Sequence, residues 1–211
     1  MRQSTRKNTK AALIEAAERL FAEKGLGIVS VKEITNAAGA RNPSAVHYHF
    51  GNIEVLIKEV FNKRYQAIEQ ERLARLAKVD AVDKRARLVA LLEASIAPFM
   101  EQCLEEEGRL YVRFCCQLLT DPRFDVVEVI QEANVSSILS LREELLESLQ
   151  HIPKTVLRAR LRQGLTISMF QTLEYAQLVE AGKAPPIDQA IREAAMCLGG
   201  YLGAEPYAPA S

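Results

Sequence analysis

Apolar residues recur at helical spacing along nearly the whole chain, and this pattern predicts an all-α protein. In the first segment they fall at positions i, i+3, i+4, i+7 and i+8 and form one stripe, which consists of Leu13, Ala16, Ala17, Leu20 and Phe21. No stretch alternates apolar and polar residues as a half-buried strand does. The pattern predicts about nine helices.

Local signals predict where the first two helices begin and end. Thr9 is the expected N-cap of the first helix, and Gly25 follows its last residue. Ser30–Glu33 has the sequence of a capping box, in which the serine and glutamate side chains each accept a hydrogen bond from the other's backbone amide. Gly39 ends this second helix, whose inward residues are expected to be Val31, Ile34 and Ala38.

A third, short helix completes a helix-turn-helix over residues 30–50. Asn42 is its expected N-cap, and Pro43 takes the first helical position, where a missing N–H costs nothing. The expected inward residues are Pro43, Val46 and Phe50. Ser44, Ala45, His47 and Tyr48 then face outward, with His49 at the boundary. That face offers hydroxyl, imidazole and methyl groups to base edges and phosphates. Alternatively, residues 47–50 are simply a helix end that packs on its neighbour.

The rest of the chain is predicted to form long helices. One runs from Asn52 to about residue 78, and the next begins at Asp80 or Asp83 and contains Pro98. Further helices are expected over 107–119, 121–150, 154–181 and 187–203.

The distribution of charge is asymmetric although the net charge is zero. Residues 1–64 carry 11 Lys and Arg against 6 Asp and Glu, whereas residues 65–211 carry 16 against 21. A basic head on an acidic body suits a polyanionic partner that binds at one end. Two solvated surfaces of different charge would give the same count.

The sequence lacks the usual signals of several other classes of protein. No apolar run is long enough to span a membrane, and no apolar segment follows the basic N-terminus, so we expect a cytoplasmic protein without a signal peptide. An enzyme would need a nucleophile with its base, a carboxylate pair or a metal set, and no such group is evident.

The cysteines and histidines do not have the spacing of a metal site. The four cysteines lack a C-x-x-C pattern, and the histidines form no i, i+4 pair, so we expect neither a metal nor a cofactor. The cysteines are interpreted as small apolar core residues, with a thiol sensor as the alternative.

Three blocks of sequence resemble the TetR family of transcriptional repressors. They are Thr9–Gly25 (TKAALIEAAERLFAEKG), then Val31–Ile34 with Ala37–Gly39, and then Tyr48–Asn52 ahead of Glu54 and Leu56. Order and approximate spacing both match, over about 50 of the 211 residues. The remainder resembles the family only in architecture.

The resemblance implies a homodimer of nine or ten helices per chain that binds operator DNA and is released by a small molecule. The DNA-binding domain would be residues 1–51, and the effector and dimerisation domain residues 52–211. By position, the family's base and phosphate contacts fall on Ser44, Ala45, His47, Tyr48 and His49. Further phosphate contacts are expected at Ser30, Lys32 and Asn52.

The chain departs from the family pattern in two places. One additional residue lies between Gly39 and Phe50, so the turn is longer, and Arg41 and Asn42 in that turn become candidate contacts. Ile53 stands where the family commonly has a cation, so a phosphate contact there would depend on backbone amides at the helix start.

The C-terminal helices supply the apolar residues that an effector pocket needs. The candidate lining residues are Phe99, Met100, Cys103, Tyr111, Phe114, Cys115, Leu118, Met169, Phe170 and Leu173. An apolar or amphipathic effector fits this lining best, although the same residues would also make an ordinary core.

By resemblance, the last two long helices form the dimer. The expected seam consists of Leu161, Leu165, Ser168, Thr172, Ala194, Ala195, Leu198 and Tyr201, and packing within one subunit is the alternative. A second interpretation of the whole chain is a DNA-binding regulator or architectural protein that has no effector.

Overall fold

The computed structural model of the chain describes residues 2–80, 83–133 and 136–206, and within these ranges it is helical without β strands. This confirms the predicted all-α class. The described residues form ten α-helices and one 3₁₀ turn, Glu101–Leu104. The α-helices are α1 Arg2–Lys24, α2 Val31–Ala37, α3 Ala45–Phe50, α4 Ile53–Leu76, α5 Lys84–Met100, α6 Glu106–Thr120, α7 Val126–Glu132, α8 Ser136–Ser148, α9 Lys154–Glu180 and α10 Ile187–Gly203.

Helix boundaries differ from the prediction at α1 and between residues 121 and 150. Helix α1 begins at Arg2, so Thr9 lies inside the helix rather than at its N-cap. The single helix predicted over 121–150 is instead α7 and α8. Its start is delayed because the Asp121 carboxylate accepts a hydrogen bond from the Arg123 amide, at 3.0 Å, which favours a turn over a helix.

The chain divides into two compact units. Unit 1 contains residues 1–66 and 105–133, and unit 2 contains residues 67–104 and 134–211. Helix α4 therefore contributes its first part to unit 1 and its last part to unit 2. The predicted division at residue 51 concerns which residues bind DNA, and it stays a prediction.

In unit 1, helix α6 packs along α1. The predicted stripe of α1 supplies fully buried residues such as Leu13 and Phe21, and the rings of Phe21 and Phe114 lie 6.1 Å apart. The Tyr111 hydroxyl donates a hydrogen bond to the Phe61 carbonyl of α4 at 2.8 Å, and burial raises the pKa of this phenol well above its usual value. Helix α6 is therefore part of the core that supports the helix-turn-helix.

Ion pairs join α1 to α4 within unit 1. The buried Glu18 carboxylate lies 2.9 Å from the Lys63 ammonium and 3.1 Å from the Arg64 guanidinium. Because two cations surround one carboxylate, its burial is compensated. A third pair, Lys10 with Glu59 at 3.0 Å, holds α1 to α4 nearer α3.

In unit 2, α10 packs against both α5 and α9. The approach of α9 and α10 is close at Gly164, where a Cβ atom would lie 2.9 Å from a methyl group of Leu198. A buried network joins α4 to α8: Glu69 pairs with Arg72 at 3.1 Å and accepts the Ser137 amide hydrogen at 2.8 Å. Both charged groups therefore have partners inside the unit.

The cysteines only partly follow the prediction. Cys103, Cys115 and Cys116 are buried, as predicted, but Cys197 is exposed. Burial raises the pKa of the Cys116 thiol to about 12 and that of Cys115 well above its usual value. Since the thiolate is the reactive form, both thiols are poor candidates for a sensor. None of the described helices has the length and apolar character needed to cross a bilayer.

Candidate nucleic-acid interface

The second helix begins at the predicted capping box. The Glu33 amide donates to the Ser30 hydroxyl oxygen at 3.2 Å, and the Ser30 amide and hydroxyl both donate to the Glu33 carboxylate at 2.9 Å. Ser30 therefore has no donor left for a phosphate oxygen while the cap is intact. The cap therefore does not favour a phosphate contact at Ser30, which stays a prediction.

The carboxylate of this cap is strongly stabilised in its charged form. The backbone hydrogen bond from Ser30, the Lys24 ammonium at 3.0 Å and the Ser30 hydroxyl together lower the pKa of Glu33 to about 2. The ionised form of Glu33 therefore stabilises the start of α2.

The turn before α3 differs from the predicted one. The Asn42 side-chain oxygen accepts the Ser44 amide hydrogen at 3.0 Å, and the Asn42 carbonyl accepts that of Ala45. This local turn competes with helix formation, so α3 starts at Ala45, with Ser44 rather than Asn42 as its N-cap. Pro43 is consequently outside the helix.

The later start changes which residues of α3 face inward. Val46 and Phe50 are buried as predicted, but Pro43 is exposed and Ala45 is only 3 % exposed. The assignments of Pro43 as inward and Ala45 as outward were wrong, and a methyl group with so little exposure is not available to a thymine methyl. The Lys10 ammonium lies 5.5 Å from the centre of the Phe50 ring, over the side of α3 that packs on the domain.

The exposed face of α3 carries the remaining predicted contacts. Ser44, His47 and Tyr48 are exposed, and His49 is half-buried beneath Tyr48, with ring centres 5.1 Å apart in an edge-to-face arrangement. The His47 Nδ1 atom lies 2.6 Å from the Gly51 carbonyl oxygen. Gly51 has φ +80°, a backbone conformation that glycine adopts without strain. This role of Gly51 was not predicted, although a glycine directly after a helix is a known signal for such a backbone turn.

The other predicted contact residues lie before and after α3 in the sequence. Lys32 and Arg41 are exposed, and the described residues offer neither of them an ion pair. The Asn52 side-chain oxygen accepts the Val55 amide hydrogen at 2.8 Å and so caps α4, which leaves the two amide hydrogens of Asn52 free to reach a phosphate. Ile53, half-buried, is the first residue of α4.

The predicted effector-binding residues are divided between the two units. Those on α6, which are Tyr111, Phe114, Cys115 and Leu118, are buried in unit 1, where Phe114 and Tyr111 contact α1 and α4. Unit 2 brings Cys103 to α9, because its thiol lies 3.5 Å from the carbonyl of Thr172, next to Leu173. Met100 is buried in the same unit, and Phe99 and Met169 are half-buried. Phe170 is 45 % exposed and does not fit the lining of an enclosed cavity.

Comparison with known proteins relates these features to a family. Residues 13–60 match the model of the bacterial regulatory proteins of the tetR family. This segment contains most of α1, all of α2 and α3 and the start of α4. No curated protein is significantly similar to the chain in sequence.

Solved structures share the fold along most of the chain. A TetR-family regulator from Marinobacter aquaeolei VT8 is 18 % identical, with 95 % of this chain and 98 % of that chain covered and a TM-score of 0.64. A regulator of the same family from Shewanella sp. PV-4 is 17 % identical, with 90 % and 95 % covered and a TM-score of 0.65. NalD, the secondary repressor of the MexAB-OprM multidrug efflux pump in Pseudomonas aeruginosa, is 20 % identical, with 91 % and 96 % covered and a TM-score of 0.57.

The low pKa of Glu33 makes the stability of the helix-turn-helix depend on pH. In the unfolded chain this carboxyl titrates near its ordinary value of 4.5, and in the folded chain near 2. The charged cap therefore contributes fully above about pH 4.5, and its contribution is lost as the pH falls towards 2. We expect Glu33→Gln to lower the free energy of unfolding at neutral pH, and we expect the difference from wild type to disappear by about pH 2.

Urea unfolding at a series of pH values measures this difference. Glu23→Gln is the control, because Glu23 is exposed on α1 and the described residues give it no ion pair. A difference for Glu33→Gln that stayed constant across the acidic range would contradict the predicted role of the charged cap.

Proposed function

We propose that this chain, a member of the tetR family of bacterial regulatory proteins, is a homodimeric transcriptional repressor that a small apolar or amphipathic effector releases from its operator. The proposal rests on the exposed polar face of α3, which three buried side chains hold on a domain that matches the family. Regulators of this family bind operator DNA. That NalD is a repressor supports the same sign of regulation here.

The proposed DNA contacts follow the geometry of the described side chains. Ser44 and Tyr48 would contact base edges and nearby phosphates from α3, and His47 would contact a base edge, with His49 at the margin of the interface. Lys32, Arg41, Asn42 and Asn52 would contact phosphates from the elements around α3. Ala45 and Ser30 are left out, because the first is buried and the second has both of its donors in the cap.

The start of α4 offers a test of where the phosphates lie. A lysine at position 53 would add one cation at a point where the chain has an apolar residue. Each phosphate neutralised contributes about −0.9 to the slope of log K against log salt. We expect Ile53→Lys to raise the affinity for operator and for random DNA alike, and to steepen that slope by about one unit.

Salt titrations measure the slope of log K against log salt for the wild type and for Ile53→Lys. The probe is a fluorescent DNA duplex that the protein has selected from a random library. Leu139→Lys, which adds the same charge at an exposed position on α8, is the control and should leave the slope unchanged. An unchanged slope in Ile53→Lys would mean that the start of α4 does not face the phosphates. A slope near zero for the wild type would refute DNA binding by the basic head.

The proposed dimer uses a face of α9 and α10 that differs from the predicted seam. Thr172, Ala194, Ala195 and Leu198 are buried within one subunit, so they cannot form the face that meets a partner. The exposed positions of α9 instead include an uncharged stripe at helical spacing, which consists of Ala159, Gln163, Thr166 and Phe170.

Helix α10 continues this surface with small residues. Cys197 and Gly200 are exposed one turn apart, and a Cβ atom at Gly200 would have no neighbour within 4 Å. The Tyr201 hydroxyl of α10 donates a hydrogen bond to the Gln163 side chain, which connects α10 to the exposed stripe of α9. Exposed uncharged residues that include a large aromatic ring resemble the centre of a protein interface.

Charges placed on this face should dissociate the dimer. Phe170→Asp and Gly200→Glu each put a carboxylate where the proposed partner packs, and neither fills space inside the subunit. We expect both variants to be monomeric at micromolar concentration in sedimentation experiments, with unchanged helical circular dichroism and weakened operator binding. Leu139→Asp is the matched control, since Leu139 is 54 % exposed, close to the 45 % of Phe170. Dimers in both variants would overturn the proposed face.

The proposed effector site lies in unit 2. Its candidate lining consists of Phe99, Met100, Cys103, Met169 and Leu173, and the contact of Cys103 with Thr172 supports their proximity. Helix α4 belongs to both units, so a ligand that alters α4 would act on the head that it supports. In a dimer the recognition helices must lie about 34–36 Å apart to enter successive major grooves, so a small change of α4 suffices to disfavour binding.

Coupling between effector and operator must be reciprocal. A panel of apolar and amphipathic metabolites is first screened for the compound that most raises the melting temperature of the free protein. We expect operator DNA to weaken the calorimetric affinity of that compound by roughly 5–150-fold, the same factor by which the compound weakens operator binding. Equal affinities with and without operator would favour the alternative of a DNA-binding regulator without an effector.

A further inference from the structure

The ring of His47 is held by the backbone in one orientation. Its Nδ1 atom lies 2.6 Å from the Gly51 carbonyl oxygen, and the Gly51 amide donates to the His47 carbonyl at 2.8 Å. The Gly51 carbonyl thus bonds to the side chain of His47, and the Gly51 amide bonds to its main chain. The imidazole is therefore positioned before any DNA is bound.

This contact also decides which nitrogen carries the hydrogen. A carbonyl oxygen can only accept a hydrogen bond, so the His47 Nδ1 atom must be the donor. In the neutral imidazole the second nitrogen, Nε2, then has a lone pair and no hydrogen. Since His47 is exposed and its Nδ1 edge is turned towards the backbone, Nε2 is the ring nitrogen that remains for a partner.

An acceptor on this face is selective among the groups of the major groove. Phosphate oxygens, guanine N7 and O6, and thymine O4 are themselves acceptors. The major-groove edges of the bases offer hydrogens only from the exocyclic amino groups, N6 of adenine and N4 of cytosine. A neutral His47 fixed in this way can therefore pair with an amino group but cannot bind a phosphate or a guanine edge.

We propose that His47 is a specificity-determining residue whose Nε2 atom accepts a hydrogen bond from the exocyclic amino group of an adenine or a cytosine in each half of the operator. Gly51 is the positioning residue, because its carbonyl selects the tautomer and the direction of the ring. The inference rests on the proposed function, since it presumes that α3 enters the major groove.

The tautomer is tested first, in the free protein and without DNA. Nitrogen-15 spectra of the imidazole rings distinguish a protonated nitrogen from one with a lone pair, and the signals that disappear in His47→Gln assign those of residue 47. We expect the hydrogen on Nδ1. A neutral His47 with its hydrogen on Nε2 would overturn the proposal whatever the protein binds.

The base contact is tested with single-group changes on both partners. The probe is the duplex selected by the protein from a random library, in which the amino group of each adenine or cytosine is removed in turn. Removal at the position that His47 contacts should weaken wild-type binding by about tenfold, the usual worth of one hydrogen bond. The same removal should have no effect on His47→Ala, because the two changes delete one interaction.

Two further variants separate the two nitrogens. His47→Gln can place an amide oxygen near the position of Nε2, whereas His47→Asn reaches only the position of Nδ1. We expect His47→Gln to keep sensitivity to the amino group and His47→Asn to lose it, with unchanged circular dichroism in both, since the side chain is exposed.

The outcomes separate this proposal from the proposed function. DNA binding in which no amino group is coupled to His47 would overturn the base contact and leave the repressor proposal intact. A folded wild-type protein that bound no DNA would overturn both.

Discussion

The proposed function depends on keeping a six-residue helix in place. Helix α3 is far shorter than the roughly 12–15 residues that an isolated helix needs for even marginal stability in water. Burial of Ala45, Val46 and Phe50 against the rest of unit 1 supplies what the backbone hydrogen bonds cannot. The exposed side chains of α3 are therefore free to differ without loss of the helix, which is the property a DNA-reading element requires.

Hydrogen bonds define the start, the turn and the end of the helix-turn-helix, and they leave Nε2 of His47 and the amide hydrogens of Asn42 available to a partner. The cap of Glu33 and Ser30 begins α2, the Asn42 side chain forms the turn, and the Gly51 backbone ends α3. At the end of α3 the Gly51 carbonyl also orients the His47 ring. The turn that ends the helix therefore selects Nε2 as the ring nitrogen that faces a partner. Stability and specificity are joined at that residue, whereas they are separate elsewhere on α3.

Helix α6 follows the predicted DNA-binding domain in sequence but belongs to the same compact unit. Its aromatic face packs on α1 and α4, with Phe114 against Phe21 and Tyr111 bonded to Phe61. These side chains support the helix-turn-helix directly, while the candidate effector residues of α5 and α9 belong to unit 2. Helix α4 contributes to both units, so it is the element through which the proposed effector would reach the head.

Structural features that depend on a few consecutive residues could be predicted from the sequence. Helix caps and apolar stripes are of this kind, because the residues that form them are neighbours along the chain. The stripe of α1, the cap at Ser30 and the all-helical class belong to this group, and the helix-turn-helix was identified from its blocks of sequence. Competing local bonds were harder to predict: the Asn42 turn shifted the start of α3 and exchanged the roles of Pro43 and Ala45. Which apolar face meets which partner was decided only by the tertiary structure. An aromatic stripe such as that of α6 has the same spacing whether it packs on α1 or lines a pocket, and only packing shows that Leu198 faces inward while Phe170 remains exposed.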